Sequence, residues 1–356
     1  MRIALIGPVQ SGKSTLFAAC AETGGSHVDL SRPDQEHLAV VKVPDERLDW
    51  LAELVRPRKV TPAELEVLDV PGFDLSDAAG RGRAKAHWPS VRQSDMLVLV
   101  VRGFGGETAA AYRGRVDAAA DVEELRSEML FADLEQATQR VEKLEQAVRK
   151  PTPRRDEQQR ELELMRRLVA ALEEERPIAE AVPSDAEAKM VRSFAFLSLK
   201  PALAVLNCDE DAAAEPGPEQ LAGLGCLQLS VKIEEELAEL AGADRAQFLA
   251  DLGLEAPARD RLIRSCYEAL ELVSFFTAGE QETRAWSVPR GTDAVTAAGQ
   301  IHTDIARGFI RAETVAFDDL RAAGDMKGAK AAGTFRLEGK GYEVQDGDVV
   351  HFRFNV

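Results

Sequence analysis

Residues Gly7-Pro8-Val9-Gln10-Ser11-Gly12-Lys13-Ser14 fit the pattern G-x-x-x-x-G-K-[ST]. The octet follows an apolar run, Ile3-Ala4-Leu5-Ile6, that reads as a buried parallel strand. Helix-forming residues, Thr15-Leu16-Phe17-Ala18-Ala19, come directly after it. Strand, glycine-bearing loop and helix in that order predict a phosphate-binding loop at the edge of a parallel α/β sheet. Gly7 and Gly12 permit the backbone to curl round a polyanion. Successive N–H groups and the helix N-terminus then face the phosphates. Gly7, Gln10, Ser11, Gly12, Lys13, Ser14 and Thr15 are therefore the expected nucleotide-binding residues of this segment. Lys13 is expected to reach the β- and γ-phosphates, and the Ser14 hydroxyl to ligate Mg²⁺.

Further strand-like runs occur at Leu65–Asp69, Met96–Val101, Ala202–Asn207 and Cys226–Ser230, separated by helical sequence. That alternation predicts a parallel sheet with ligands at its carboxyl edge. Asp69-Val70-Pro71-Gly72 closes one run. There Asp69 is expected to hold Mg²⁺ through water, and Gly72 to offer its N–H to a γ-phosphate. Asn207-Cys208-Asp209-Glu210 closes another, in the place where guanine-specific proteins of this class carry N-K-x-D. Glu210 is one methylene longer than aspartate, which spoils a bidentate contact with the guanine edge. Ser230-Val231-Lys232 stands where a short turn backs the base. An ordinary acidic loop at 208–211 is the bland alternative.

At 356 residues the chain is long enough for two or three domains. No stretch is long and apolar enough to span a bilayer, and the start reads as a strand rather than a signal peptide. Cys20, Cys208, Cys226 and Cys266 lie far apart, so reduced thiols and a cytoplasmic location are expected. The five histidines do not cluster in sequence. A net charge of −17 argues against a general nucleic-acid coat and leaves no DNA specificity evident. Residues 274–356 carry 10 Lys/Arg against 12 Asp/Glu, a net of −2, so the C-terminal part is the better candidate for meeting RNA.

Leu134, Ala137, Val141, Leu144 and Val148 alternate spacings of three and four, and Leu162, Met165, Val169 and Leu172 repeat the pattern. Between them lies a turn at Lys150-Pro151-Thr152-Pro153, which predicts an antiparallel helical hairpin with a narrow seam. Its intervening charges are most simply a solvated face. From Ser274 onward, β-branched and aromatic residues with Gly and Asp turns suggest a small β-rich module.

Longer stretches resemble the YchF subfamily of Obg-related P-loop NTPases. They are Val43-Pro44-Asp45-Glu46-Arg47-Leu48-Asp49-Trp50-Leu51, Phe276-Thr277-Ala278-Gly279 with Arg284-Ala285-Trp286, and Ile301-His302-Thr303-Asp304 with Gly308-Phe309-Ile310-Arg311-Ala312-Glu313. The ending Gln345–Val356 also follows the family pattern. The resemblance implies an α/β P-loop NTPase G domain (1–120 and 199–273), an inserted coiled coil (121–198) and a C-terminal β-grasp-like TGS domain (274–356). It implies a monomeric, ribosome-associated ATPase that binds ATP in preference to GTP, with Mg²⁺. TGS modules are implicated in RNA or ribosome contact; Arg284, Arg311, Lys327, Lys330, Arg336, Lys340 and Arg353 are candidates for a basic face or ordinary surface charges.

The chain departs from the family at four places. The octet lacks the usual Pro-Asn-Val. The switch-I threonine has no equivalent in Leu30-Ser31-Arg32-Pro33-Asp34, where Ser31 is a shifted substitute. Phe73 keeps the hydrophobic residue that replaces a water-positioning glutamine, but the following Asp74–Lys85 stretch is shorter. Ala111 occupies the position of a histidine thought to assist water attack, and losing such a group costs on the order of 10²–10⁴ in rate. The next nearest histidine in sequence is His87. The expected function is a slow ATPase switch at the ribosome. The alternative is a non-hydrolysing ATP-sensing module whose hairpin and TGS domain recruit partners. A metabolic phosphotransferase shares the phosphate loop but lacks any sign of an acceptor pocket.

Overall fold

The computed structural model describes residues 1–22, 31–105, 111–240 and 242–355. Leu30 and Val356 lie outside the described residues. Two compact units share the chain: Met1–Ala39 with Glu66–Arg259, and Val40–Leu65 with Asp260–Val356. Thirteen strands are described: β1 (Arg2–Ile6), β2 (His37–Lys42), β3 (Lys59–Thr61), β4 (Glu64–Asp69), β5 (Met96–Arg102), β6 (Ala202–Asn207), β7 (Gln220–Leu221), β8 (Leu224–Leu229), β9 (Leu272–Ala278), β10 (Glu282–Pro289), β11 (Phe309–Ala316), β12 (Arg336–Glu338) and β13 (Asp348–Phe354).

A seven-stranded sheet runs in the order β2-β4-β1-β5-β6-β8-β7. β1 lies parallel to both β4 and β5, β5 to β6, and β6 to β8, while the short β7 is antiparallel to its neighbour β8. Every residue of β5 is buried, as a parallel strand covered on both faces requires. Leu5 is in register with Asp69 and Arg102 with Asn207, so the loops after β1, β4 and β6 emerge at one carboxyl edge. Helix α1 (Lys13–Glu22) starts inside the octet.

The other helices used below are α2 (Glu46–Val55), α3 (Ala78–Lys85), α4 (Trp88–Arg92), α5 (Ala118–Ala147) and α6 (Arg155–Glu173). α5 and α6 form the expected hairpin. Ala137, Leu144, Leu162, Met165 and Leu172 are buried in its seam, with Leu134, Val141, Val148 and Val169 packed beside them. Asp117 caps α5 by accepting from the Ala120 N–H at 3.1 Å, so the helix starts on the sheet side of the seam. Asp133, fully buried, fastens that base. Its carboxylate accepts from Arg92 Nη1 (2.6 Å), the Leu197 N–H (3.0 Å), and the N–H and hydroxyl of Ser198 (2.8 and 2.6 Å).

The second unit has a six-stranded sheet, β12-β11-β13-β9-β10-β3. The β9–β10 hairpin is antiparallel, and β13 meets β9 in parallel, with Val349 opposite Phe276. Ala294, Ala297 and Ala298 of the helix Ala294–Ile301 pack with Phe275, Phe309 and Phe352. Small residues on that helix leave room for the rings. Val40–Leu65, expected within the first segment of the G domain, clusters with this unit. β3 pairs in parallel with β10, and Arg47 spans Asp45 (Nη2, 2.8 Å) and Asp346 (Nη1, 2.7 Å) above the Phe276 ring. Among the basic candidates of this unit, Arg353 pairs with Glu313, Arg336 with Glu338 and Asp348, and Arg284 lies over Trp286.

Among the described residues no helix is long and apolar enough to cross a membrane. Replacing Asp133 by alanine strands the Arg92 guanidinium, which is mostly buried. The expected destabilisation is about 3–5 kcal/mol, to be read as a shifted midpoint in urea denaturation.

Candidate functional site

The octet is wrapped by the loop that follows β4. The Phe73 N–H donates to Gly7 O (2.9 Å) and the Val9 N–H to Phe73 O (3.1 Å), zipping the two loops together. Gly72 sits against Val9, where an added Cβ would lie 3.0 Å from the Val9 Cα. At Gly7 a Cβ would fall 2.2 Å from Val100 O. Gly12 has φ +87°, and a Cβ there would strike the Asn207 amide. Gln10 adopts φ +61°, a left-handed conformation that asparagine, the usual family residue, tolerates better than glutamine. A cleft of about 340 Å³ is lined by residues 8–15, Pro33 and Gly72.

Lys13 and Asp69, each 3% exposed in the side chain, form a buried ion pair, and the Lys13 ammonium also donates to Val70 O. Burial pulls the Lys13 pKa below its ordinary value, while Asp69 pulls in the other direction. Ser14 Oγ donates to Asp69 Oδ2 at 2.9 Å. Ser14 and Asp69 thus share a corner of hard oxygen donors, the chemistry that suits Mg²⁺. Thr15 follows, half-buried in the first turn of α1.

Asn207 is turned inward. Its Nδ2 donates to Ser11 O (3.0 Å) and its Oδ1 accepts from the Val231 N–H (3.0 Å). It therefore ties the octet to the N-terminus of the helix Val231–Glu239. Ser11 Oγ and Ser230 Oγ are buried without a hydrogen-bond partner. Cys208 is also buried, packed with Ala213, Ile233, Leu237 and Leu249, so it does not take the outward position of the lysine in N-K-x-D. Glu210 pairs with Lys232 instead, and this contact holds the Lys232 pKa above its ordinary value. The outer rim beyond Asn207 is thus an exposed acid–base pair.

Phe73 points into the core, edge-on to Trp88 at 5.1 Å, away from any water it would have to position. Ala111 begins a short turn that is stitched to the loop after Phe73. The Leu75 N–H donates to Tyr112 Oη (3.1 Å), Tyr112 donates to Glu124 of α5 (3.0 Å), and Arg113 donates to Leu75 O (3.1 Å). Burial raises the Tyr112 pKa. Sequence reading missed this clamp because Tyr112, Arg113 and Glu124 match no motif; only the fold brings them to Leu75. Ser31 is exposed, and His87 pairs through Nδ1 with Glu36 at 2.7 Å. His37 was also missed: it opens β2, and its Nδ1 lies 4.0 Å from Asp69 Oδ2.

Asn207→Ala removes both bonds between the octet and Val231. The expected result is a loss of about 1–3 kcal/mol of stability together with roughly tenfold weaker nucleotide binding, measured by thermal melts and calorimetric titration.

The family model YchF-GTPase_C, described as a protein of unknown function (DUF933), matches residues 272–355. The ribosome-binding ATPase YchF of Bacillus subtilis (strain 168) is 39% identical over 364 residues, covering 99% of this chain and 98% of that protein. Its counterpart in Haemophilus ducreyi is 37% identical, with the same coverage of 99% and 98%. The structure of the Schizosaccharomyces pombe YchF GTPase superposes with a TM-score of 0.82 at 26% identity, covering 99% of this chain and 97% of that one. Near full-length identity above 30%, joined to a P-loop α/β fold shared along the whole chain, means that this chain belongs to the YchF family of nucleotide hydrolases.

Proposed function

We propose that the chain is a Mg²⁺-dependent nucleotide switch that binds ATP in preference to GTP, hydrolyses it slowly and works at the ribosome as a cytoplasmic monomer. The observation that carries this reading is the convergence of residues 8–14 and Gly72 on one cleft, with Asp69 bonded to Lys13 and Ser14 behind it. With nucleotide bound, Lys13 would leave Asp69 for the β- and γ-phosphates, and Ser14 and Asp69 are the residues that would hold Mg²⁺. The metal supplies charge neutralisation at the phosphates. Gly72 reports the γ-phosphate by its N–H, and the Leu75–Tyr112–Glu124 clamp carries that state toward the hairpin. In this reading residues 1–120 and 199–273 form the nucleotide domain, 121–198 the inserted hairpin and 274–356 the TGS domain that meets ribosome or RNA. The bacterial relatives are named ribosome-binding ATPases, which supports the partner.

The relatives' names divide between ATPase and GTPase, so the base preference rests on this chain's own rim. Glu210, paired with Lys232, is a poor match for the two guanine donors, and buried Cys208 cannot supply a lysine stem alongside the base. Slow turnover follows from Phe73, buried under Trp88, and from Ala111, which can neither orient nor deprotonate water. The same two residues favour the second reading, in which ATP occupancy without hydrolysis sets how the hairpin and TGS domain are presented.

Equilibrium binding of ATP and GTP with Mg²⁺, with phosphate release followed in the same samples, tests the proposal. ATP preference with slow release, both lost in Lys13→Ala, is expected; tight GTP binding would overturn the base assignment. Release that stays at zero even with ribosomes present would leave the sensing module as the function. Ala111→His is expected to raise turnover about tenfold or more if the clamped turn faces the cleft when ATP is bound, and single-turnover phosphate release checks it.

A further inference from the structure

His37 stands beside Asp69, at the corner proposed above for Mg²⁺. Its side chain is 13% exposed, and its Nδ1 is buried without a hydrogen-bond partner. The ring packs near Phe17, centroid to centroid 6.3 Å, which limits its travel. At 4.0 Å the separation of Nδ1 from Asp69 Oδ2 is too long for a hydrogen bond. A buried, unpaired imidazole nitrogen is costly, and native structures keep few such groups without a reason.

The reason lies in what Asp69 loses. Its carboxylate, 3% exposed, accepts among the described residues from Lys13 and Ser14. Both are the groups that the proposed function sends elsewhere, Lys13 to phosphate and Ser14 to the metal. An Asp69 released by both donors would face the metal with no protein group holding its carboxylate in place, and a carboxylate at a metal is ordinarily oriented by a hydrogen bond from a neighbouring side chain. His37 is the polar side chain already beside it, and a shift of about 1 Å brings Nδ1 into range. We propose that His37 is a positioning residue for the Mg²⁺ site: its Nδ1–H takes over the Asp69 carboxylate when nucleotide and metal draw Lys13 and Ser14 away. The inference rests on the functional reading above. It assigns no role at the phosphates themselves, because His37 borders the carboxylate and not the octet.

The test compares the wild-type chain with His37→Phe, which keeps a ring against Phe17 but removes the donor, and His37→Asn, whose amide nitrogen restores a donor near Nδ1. Mn²⁺ binding to the ATP complex is read by electron paramagnetic resonance, and ATP binding by titration in EDTA. The expected result is Mn²⁺ affinity lowered about tenfold or more in His37→Phe, most of it regained in His37→Asn. Metal-free ATP affinity should match wild type in both, and the melting temperature measured without nucleotide should match wild type or rise, because His37→Phe removes an unpaired buried nitrogen. Equal Mn²⁺ affinity in all three proteins overturns the inference while leaving the functional reading intact. A fall in nucleotide-free melting temperature that parallels the metal effect makes His37 a packing residue and also overturns it. Failure of the wild-type chain to bind Mn²⁺ with ATP overturns the functional reading, and the inference with it.

Discussion

The buried pairing of Lys13 with Asp69 is the constraint around which the nucleotide end of the first unit is built. An ammonium taken out of water needs an anion and further acceptors, and Asp69 and Val70 O provide them at the end of β4. That contact joins the strand carrying the octet to its parallel neighbour. The Gly7–Phe73–Val9 bonds continue the join one loop further out. Asn207 does the same on the other flank of β1, holding Ser11 to Val231. The phosphate loop is therefore preorganised from both sides, and its glycines are needed where those neighbours come close.

Two groups of this end gain a part from the proposed function. Lys13 is held by Asp69, which it leaves in the functional reading proposed above, and His37 lies beside that same carboxylate. The link from the loop after Asp69 to α5 is short, passing from Leu75 through Tyr112 to Glu124. A change at the phosphates thus has a physical route to the hairpin base, where Asp133 fixes α5 to the segment at Leu197 and Ser198.

The second unit depends on Arg47 in a comparable way. Asp346 receives Arg47 and also the Ser274 N–H, so the stretch Val43–Leu51 and the chain's last turn are parts of one construction. Two segments that resemble the family for no evident local reason turn out to touch. Local patterns could not reveal this, because Val40–Leu65 and Asp260–Val356 are separated by nearly 200 residues of the other unit.

Periodicity and loop chemistry were enough to read β1, β4, β5 and β6, the octet, Asp69, Gly72 and the hairpin seam, since each is fixed by contacts within a few residues or by an unbroken apolar run. β2 escaped notice: it is a short edge strand, half exposed, that begins with a histidine and alternates weakly. Asn207 stands out in the sequence at the end of a strand-like run, yet its partners, Ser11 and Val231, could not be read from its neighbours in sequence. The inward turn of Cys208, the pairing of Glu210 with Lys232 and the burial of Asp133 were likewise invisible. The sequence by itself determined that a parallel sheet would carry a phosphate loop, with an inserted hairpin and a β-rich C-terminal module. Only the tertiary structure decided which residues line the cleft, which brace the octet, and that His37 stands beside Asp69. The first kind of information is local and repeats along the chain; the second depends on distances between residues far apart in sequence, which only packing sets.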